Sequence, residues 1–408
     1  MLIYMEENMS NKFIDKEQAY CAHNYLPLPV VLTKGEGVWL YDDTGKKYLD
    51  MMSAYSAVSH GHCHPELVQI FTEQAAKLCI TSRAFYSDKL GIFLEKLCDM
   101  SGLDVALPMN TGAEAVETAI KAARIWGYNV KNIEEDKAEI IVATNNFHGR
   151  TTTITGFSTE EAYKKGFGPF APGFKAIEYG NVSALEKAIT SNTCAFLVEP
   201  MQGEAGIIIP TQGWLEKVYN ICKSNNVLLA LDEIQCGLGR TGKLFAFQHE
   251  IKKPDLLILG KALGGGMLPV SAVVGKKEIM EQFVPGNHGS TFGGNPLAAA
   301  VGYKALQLIE SENLVDKSAE LGEYFINKLK EINSPLITDI RGKGLWIGVD
   351  INPRKQPARK VCELLMEQGI LSKETHETVV RFAPPLVISK QEIDYTVNAL
   401  SNILEELS

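Results

Sequence analysis

Val227-Leu-Leu-Ala-Leu-Asp232 and Leu256-Leu-Ile-Leu-Gly-Lys261 are the two stretches whose reading decides the fold. Each is a short apolar run bounded by turn residues, the pattern of a strand buried on both faces, and each ends in an ionisable side chain. In an open α/β sheet ligands gather beyond the carboxyl ends of the strands, so a carboxylate and an amine are delivered to one crevice. Working outward, Ala106-Leu-Pro-Met109, Ile140-Ile-Val-Ala143, Ala195-Phe-Leu-Val198 and Val270 to Val274 read as further strands. Helical patterns separate them, and this alternation predicts an α/β domain with a mainly parallel sheet covered by helices on both faces.

The large domain is expected over residues 66–290. Residues 1–65 read as an N-terminal arm, with prolines at 27 and 29 and a hairpin from Gly37 to Leu49 that reverses at Asp43-Thr-Gly45. Asn295 as N-cap with Pro296 at the first helical position opens a third region, 291–408, whose pattern predicts a smaller α+β domain.

Composition narrows the function. The chain has 408 residues, 45% of them hydrophobic and 22% charged, and a net charge of −9 with no basic stripe. Nucleic acid is therefore not an expected partner. Met1 to Tyr20 is acidic, lacks arginine and lacks the apolar centre of a secretion signal. Ala262 to Gly275 is charge-free but too short to span a bilayer and is interrupted by glycines and a proline. The expectation is a cytoplasmic protein. Eight cysteines without a Cys-x-x-Cys pair read as reduced thiols, most of them small core residues.

The residue types at the strand ends suit pyridoxal phosphate. That cofactor needs a lysine to attach to and an acid at its pyridine nitrogen, roles open to Lys261 and Asp232. Gly260 and Gly264-Gly265-Gly266 around Lys261 allow close backbone approach, and an apolar setting lowers a lysine's pKa and frees its amine. Asn110-Thr-Gly-Ala-Glu-Ala115 follows a strand and opens a helix, whose free amides favour an anion such as phosphate. Phe147 and Arg150, after the Ile140 strand, offer a ring to stack on a planar group and a guanidinium to clamp a carboxylate. Two metal readings compete. Asp232-Glu233 has no further ligand at a suitable spacing, and His60-Gly-His62-Cys63-His64-Pro65 has no matching second cluster, so a polar turn explains the histidines better.

Longer motifs sharpen the picture. Ala22-His-Asn-Tyr25, Ser53-Ala-Tyr55-Ser-Ala-Val58, Gly61-His-Cys-His-Pro65, Thr81-Ser-Arg-Ala-Phe85 and Pro108-Met-Asn-Thr-Gly112 occur in order. Val198-Glu-Pro-Met-Gln-Gly-Glu-Ala-Gly206, His288-Gly-Ser-Thr291 and Arg381-Phe-Ala-Pro-Pro385 continue the series. From about Ala22 to its C-terminus the chain resembles the fold-type I pyridoxal phosphate enzymes of the class III aminotransferase family, and within it the ornithine-transaminating branch. The resemblance implies a large domain with a seven-stranded sheet and ping-pong transfer of the δ-amino group of L-ornithine to 2-oxoglutarate. It implies that Lys261 holds pyridoxal 5'-phosphate, Asp232 pairs with its ring nitrogen, Gln235 with its phenolic oxygen, and Phe147 stacks on it. Gly112 and Ala113 would bind the phosphate, with Ser290 and Thr291 reaching the phosphate of a neighbouring subunit, so a homodimer or higher oligomer is implied. Tyr25 and Arg150 would take ornithine's α-amino and α-carboxylate groups, with Tyr55 lining the pocket. Arg381 would bind the α-carboxylate of glutamate, and Glu204 would neutralise Arg381 in the ornithine half-reaction.

Three positions depart from the branch's usual pattern: His148 where tryptophan is common, Cys236 for a threonine and Leu268 for a tyrosine. Another class III ω-aminotransferase, acting on N-acetylornithine, 4-aminobutyrate or a diamine, is the nearest alternative.

Overall fold

The computed structural model describes residues 3–408. After an N-terminal helix, Ile3–Tyr20, three strands form an antiparallel meander: β1 (Leu32–Glu36), β2 (Trp39–Asp42) and β3 (Lys47–Asp50). The central sheet comprises β4 (Val105–Met109), β5 (Glu139–Ala143), β6 (Phe174–Ile177), β7 (Thr193–Val198), β8 (Leu228–Asp232), β9 (Leu256–Leu259) and β10 (Ser271–Gly275). Its order is β4-β10-β9-β8-β7-β5-β6, with β10 antiparallel to both neighbours and every other pairing parallel. The expected α/β architecture with a seven-stranded, mainly parallel sheet is what forms.

Period-2 burial explains why these runs are strands. In β8, Leu229 and Leu231 enter one buried apolar cluster while Leu228 and Ala230 enter another, and β9 divides Leu257 and Leu259 from Leu256 and Ile258 in the same way. The sheet is thus apolar on both faces, and each fully buried leucine contributes roughly 1.5–3 kcal/mol. Strand β6 was not anticipated. It is a four-residue edge strand with Lys175 and Ala176 exposed, too short and too polar to carry a buried-strand signature.

The C-terminal third holds β11 (Ile337–Gly342), β12 (Ile347–Ile351), β13 (Ile370–Leu371), β14 (Lys373–Thr375) and β15 (Val379–Phe382). Four of them form an antiparallel sheet in the order β11-β12-β15-β14, while β13 pairs in parallel with β3, so the two ends of the chain share one sheet. The helix Pro296–Ser311 begins as its cap predicts, with the Asn295 side chain accepting from the Ala298 amide. Among the described residues no helix is long and apolar enough to cross a membrane. Cysteine burial is less complete than expected: Cys194, Cys222, Cys236 and Cys362 are buried, but Cys21, Cys63 and Cys79 are exposed.

One buried cation ties these parts together. Arg240 is fully buried and donates from Nη1 to the carbonyls of Leu345 (2.9 Å) and Pro384 (2.6 Å), and from Nη2 to Ser53 Oγ (3.3 Å) and Ser59 Oγ (3.1 Å). Burial pulls its pKa down to about 9, against the pull of Asp50. Replacing Arg240 with methionine keeps most of the volume but strips two buried carbonyls of their donor. Urea titration of Arg240→Met is expected to show a loss of roughly 3 kcal/mol; an unchanged midpoint would mean that water satisfies those carbonyls.

Candidate active site

Five segments leave the carboxyl edge of the sheet at one place. Asp232 ends β8, Lys261 lies just beyond the adjacent β9, Glu199 follows β7, Phe147 and His148 follow β5, and Gly112 follows β4. They line a common cavity of about 210 Å³ with Ala113, Gln235 and Cys236. Leu268 instead packs beside the Leu67, Val301 and Ala305 cluster and is not part of this lining.

At the mouth of β4 the helix Gly112–Asn129 is capped by Thr111, whose side chain accepts from the Glu114 amide at 3.3 Å while Glu114 accepts from the Thr111 amide at 2.7 Å. This box leaves the Gly112 and Ala113 amides, the first two of the helix, without an intrahelical acceptor and on the cavity wall. An anionic group placed there receives two N–H donors and the positive end of the helix dipole.

Lys261, half-buried, also lines the cavity. Burial pulls its pKa down to about 8; Glu204 and Asp232 pull upward and Arg381 further down. Asp232 is buried and accepts from the Ile234 amide (3.0 Å), and its other oxygen meets His148 Nδ1 at 2.7 Å. Burial disfavours a charged His148, yet the bond to Asp232 and the nearby Glu199 raise its pKa overall. Glu199 itself is pushed up to about 7 by burial, while accepting from the Phe147 amide.

Beyond Lys261 lies an ion pair. Arg381, on β15, donates from Nη1 to Glu204 Oε1 at 2.8 Å, and Gln235 Nε2 reaches the same oxygen at 3.2 Å. Burial raises the Glu204 pKa, but Arg381 and Lys261 hold it below the ordinary carboxylate value. Gly203 is required beside it, because a Cβ there would stand 2.5 Å from Gln235 Oε1 and 2.7 Å from the Trp346 ring.

Tyr55 bridges the two cations, its ring 5.8 Å from Lys261 Nζ and 4.9 Å from the Arg381 guanidinium. It belongs to a run of four non-glycine residues with positive φ, Ser53 to Ser56. Such a left-handed turn costs roughly 1–2 kcal/mol per residue. Asp50 Oδ1 holds it by accepting from the Met52 and Ser53 amides, and Ser53 Oγ donates to the Ala383 carbonyl.

Arg150 lies at the exposed rim, its guanidinium 3.6 Å from the Tyr163 ring centre and 5.4 Å from that of Phe147. Tyr25 is 80% exposed and is not packed into a wall. Ser290 and Thr291 do not line this chain's own cavity; Ser290 Oγ accepts from Asn110 Nδ2 at 2.9 Å. The sequence reading thus brings together most of its site residues, but it missed Tyr163 and the roles open to Glu199 and His148. Glu199 follows a buried strand just as Asp232 ends one, so the same rule finds it. Tyr163 sits in a four-residue helix with no local signal.

The competing metal positions are engaged elsewhere. His60, His62 and His64 meet the Ala305 carbonyl, Asp50 and Glu312 respectively, in three separate directions. Glu233 caps a distant turn by accepting from the Ala246 and Phe247 amides. Among the described residues no group of three potential ligands is arranged around a metal position.

Comparison with known proteins agrees with this geometry. The family model described as aminotransferase class-III matches residues 20–404. The ornithine aminotransferase of Brevibacillus brevis is 56% identical over 395 residues, covering 97% of this chain and 98% of its own. Among solved structures, the ornithine aminotransferase of Toxoplasma gondii ME49 superimposes with a TM-score of 0.96 at 42% identity, covering 99% of this chain and 97% of that one. The acetylornithine aminotransferase of Elizabethkingia anophelis does so with 0.89 at 46% identity, covering 97% and 99%. With its strand-end lysine and acid and a match across nearly its whole length, the chain belongs to the class-III aminotransferases.

Proposed function

We propose that the chain transfers the δ-amino group of L-ornithine to 2-oxoglutarate, giving L-glutamate 5-semialdehyde and L-glutamate by a ping-pong mechanism. The observation that carries this reading is the Glu204–Arg381 pair beside Lys261. A site that accepts ornithine by its terminal amine and glutamate by its α-amine must hide its carboxylate receptor in one half-reaction and expose it in the other. An unpaired buried arginine would attract the wrong carboxylate, and Glu204 prevents that.

Pyridoxal phosphate is the family's cofactor and supplies, when bound, a carrier for the amino group and a sink for electrons from the substrate carbon. The pocket fits it: two free helix amides for the phosphate, the Phe147 face for the ring, a buried carboxylate for the pyridine nitrogen and Gln235 for the phenolic oxygen. Lys261 would hold the group through its amine and, once freed by the substrate amine, would be the base that moves the proton at the substrate carbon. Asp232 would face the pyridine nitrogen of the bound group, with His148 Nδ1 held against its Oδ2 at 2.7 Å.

Ornithine's α-carboxylate goes to Arg150, whose guanidinium lies over the Tyr163 ring and near that of Phe147, and its α-amine to the Tyr25 hydroxyl. With both α-groups held there, the δ-amine is the end left to reach Lys261. In the second half-reaction Glu204 turns away, retaining Gln235 as a donor, and Arg381 receives the α-carboxylate of glutamate or 2-oxoglutarate. A homodimer completes the site, with Ser290 and Thr291 of each chain serving the other's phosphate. The exposure of Phe85, Tyr86 and Phe292 supports such a covered face.

Purified holoenzyme given L-ornithine without keto acid is expected to lose the visible absorbance of its lysine-bound cofactor rapidly and release semialdehyde, with N-acetylornithine and 4-aminobutyrate much slower. Faster bleaching by N-acetylornithine would move the function to that substrate, which His148 and the Elizabethkingia likeness make the specific competitor. Glu204→Gln removes the charge that masks Arg381, so KM for glutamate should fall while the ornithine kcat/KM drops about tenfold; parallel changes in both would remove Glu204 from the switch. Because the neutral amine is the nucleophile and Lys261 titrates near 8, apoprotein should take up pyridoxal phosphate faster as pH rises, with a plateau above about 8. A rate still climbing towards about pH 10 would place Lys261 at an ordinary lysine value.

A further inference from the structure

Residues 22–29 belong to no helix or strand, and Tyr25, Leu26 and Pro27 are all exposed. A side chain from the other end of the sequence reaches them. Arg359, the second residue of the helix Ala358–Glu367, donates from Nη1 to the Leu26 carbonyl and from Nη2 to the Pro27 carbonyl, each at 3.3 Å. Its Nε donates to Glu363 Oε1 at 3.0 Å, and Nη1 also faces Glu374 Oε1 at 3.5 Å. A planar guanidinium with five donors can hold two successive carbonyls and two carboxylates at once, which a point-like ammonium cannot.

The anchor behind it is close to the site. Arg359 and Glu374 side chains are only 22% and 17% exposed, so the contact is partly shielded from solvent. Burial opposes the charge on Arg359, but Glu363 and Glu374 raise its pKa overall. Glu374 lies on β14, where it also pairs with Lys373. The next residue, Thr375, donates its hydroxyl to the Glu204 carbonyl at 2.5 Å, and Lys373 stands across the ladder from Arg381. Glu374 is also near enough to Tyr55, as is Tyr25, to raise that phenol's pKa. One short hairpin therefore carries Arg381, the backbone support of Glu204, and the carboxylate that aims Arg359 at the arm.

We propose that Arg359 is a positioning residue for ornithine: its fork, set by Glu374, fixes the Leu26-Pro27 backbone so that the Tyr25 hydroxyl meets the α-amino group. The proposal rests on the reading of Tyr25 given above. Glutamate, received by Arg381 on the far side, does not depend on the arm. The latch therefore acts on one half-reaction and not on the other.

The test compares holoenzyme carrying Arg359→Ala, Arg359→Lys, Glu374→Gln or Tyr25→Phe with the parent. Single-turnover rates with L-ornithine and with L-glutamate are measured separately, together with amide hydrogen exchange across residues 24–31. Arg359→Ala should lower ornithine kcat/KM about tenfold and leave glutamate within about twofold. Arg359→Lys should show most of that loss, Glu374→Gln a smaller one, and exchange in the arm should quicken in all three. Equal losses in both half-reactions, or exchange in the arm unchanged by Arg359→Ala, would overturn the latch. If Tyr25→Phe costs ornithine turnover while the Arg359 variants do not, the latch fails and the Tyr25 reading stands. If Arg359→Ala selectively costs ornithine while Tyr25→Phe does not, the latch stands and another arm group meets the substrate.

Discussion

A sheet covered on both faces leaves its charged residues one place to go. Strands β7, β8 and β9 are buried along their length and carry no charged side chain before the terminal Asp232 of β8, since a charge within them would lose hydration without a partner. At their carboxyl edge the backbone ladder ends, cavity space opens, and helix amides supply compensation. Asp232 and Glu199 are buried at that edge and Lys261 stands half-buried beside them, where hydrogen bonds and opposite charges offset the lost hydration. The same constraint makes them reactive, since partial desolvation is what lowers Lys261 and raises Glu199 towards neutrality.

The ion pair beyond them works on a different balance. A buried salt bridge is a weak source of stability, because desolvating both partners offsets most of the attraction. That weakness suits a switch. In the proposed mechanism the Glu204–Arg381 contact opens when a substrate carboxylate replaces Glu204, which keeps a donor because Gln235 already shares its oxygen. The backbone of Glu204 stays fixed through Thr375 while its side chain is free to choose partners.

Much of this was legible in the chain because the signals are local. Apolar runs ending in Asp232 and Lys261 located the edge, and the Asn110-Thr-Gly segment located a helix start that does carry free amides. Strand β6 was invisible because edge strands need no apolar face, and Tyr163 because it meets Arg150 and Phe147 only once the chain has folded back. The Arg359 contact to the arm spans more than three hundred residues and leaves no periodic trace. The bond between His148 and Asp232 had a hint, since histidine stood where tryptophan is common, but a substitution does not reveal its partner.

The left-handed turn at Ser53 to Ser56 shows how a global scaffold sustains a local cost. Four residues outside the favoured region would relax if nothing opposed them, and together they spend several kcal/mol. Opposition comes from Asp50 at the turn's amides and from Arg240, which holds Ser53 and Ser59 with one nitrogen and the Leu345 and Pro384 carbonyls with the other. Arg240 lies in the turn segment that follows β8, so the chain that leaves Asp232 at the cavity also carries the anchor of the Tyr55 turn. The cavity end of β8 and the turn that carries Tyr55 are thereby tied together, and the Tyr55 ring stands between Lys261 and Arg381, 5.8 Å from the Nζ of the first and 4.9 Å from the guanidinium of the second.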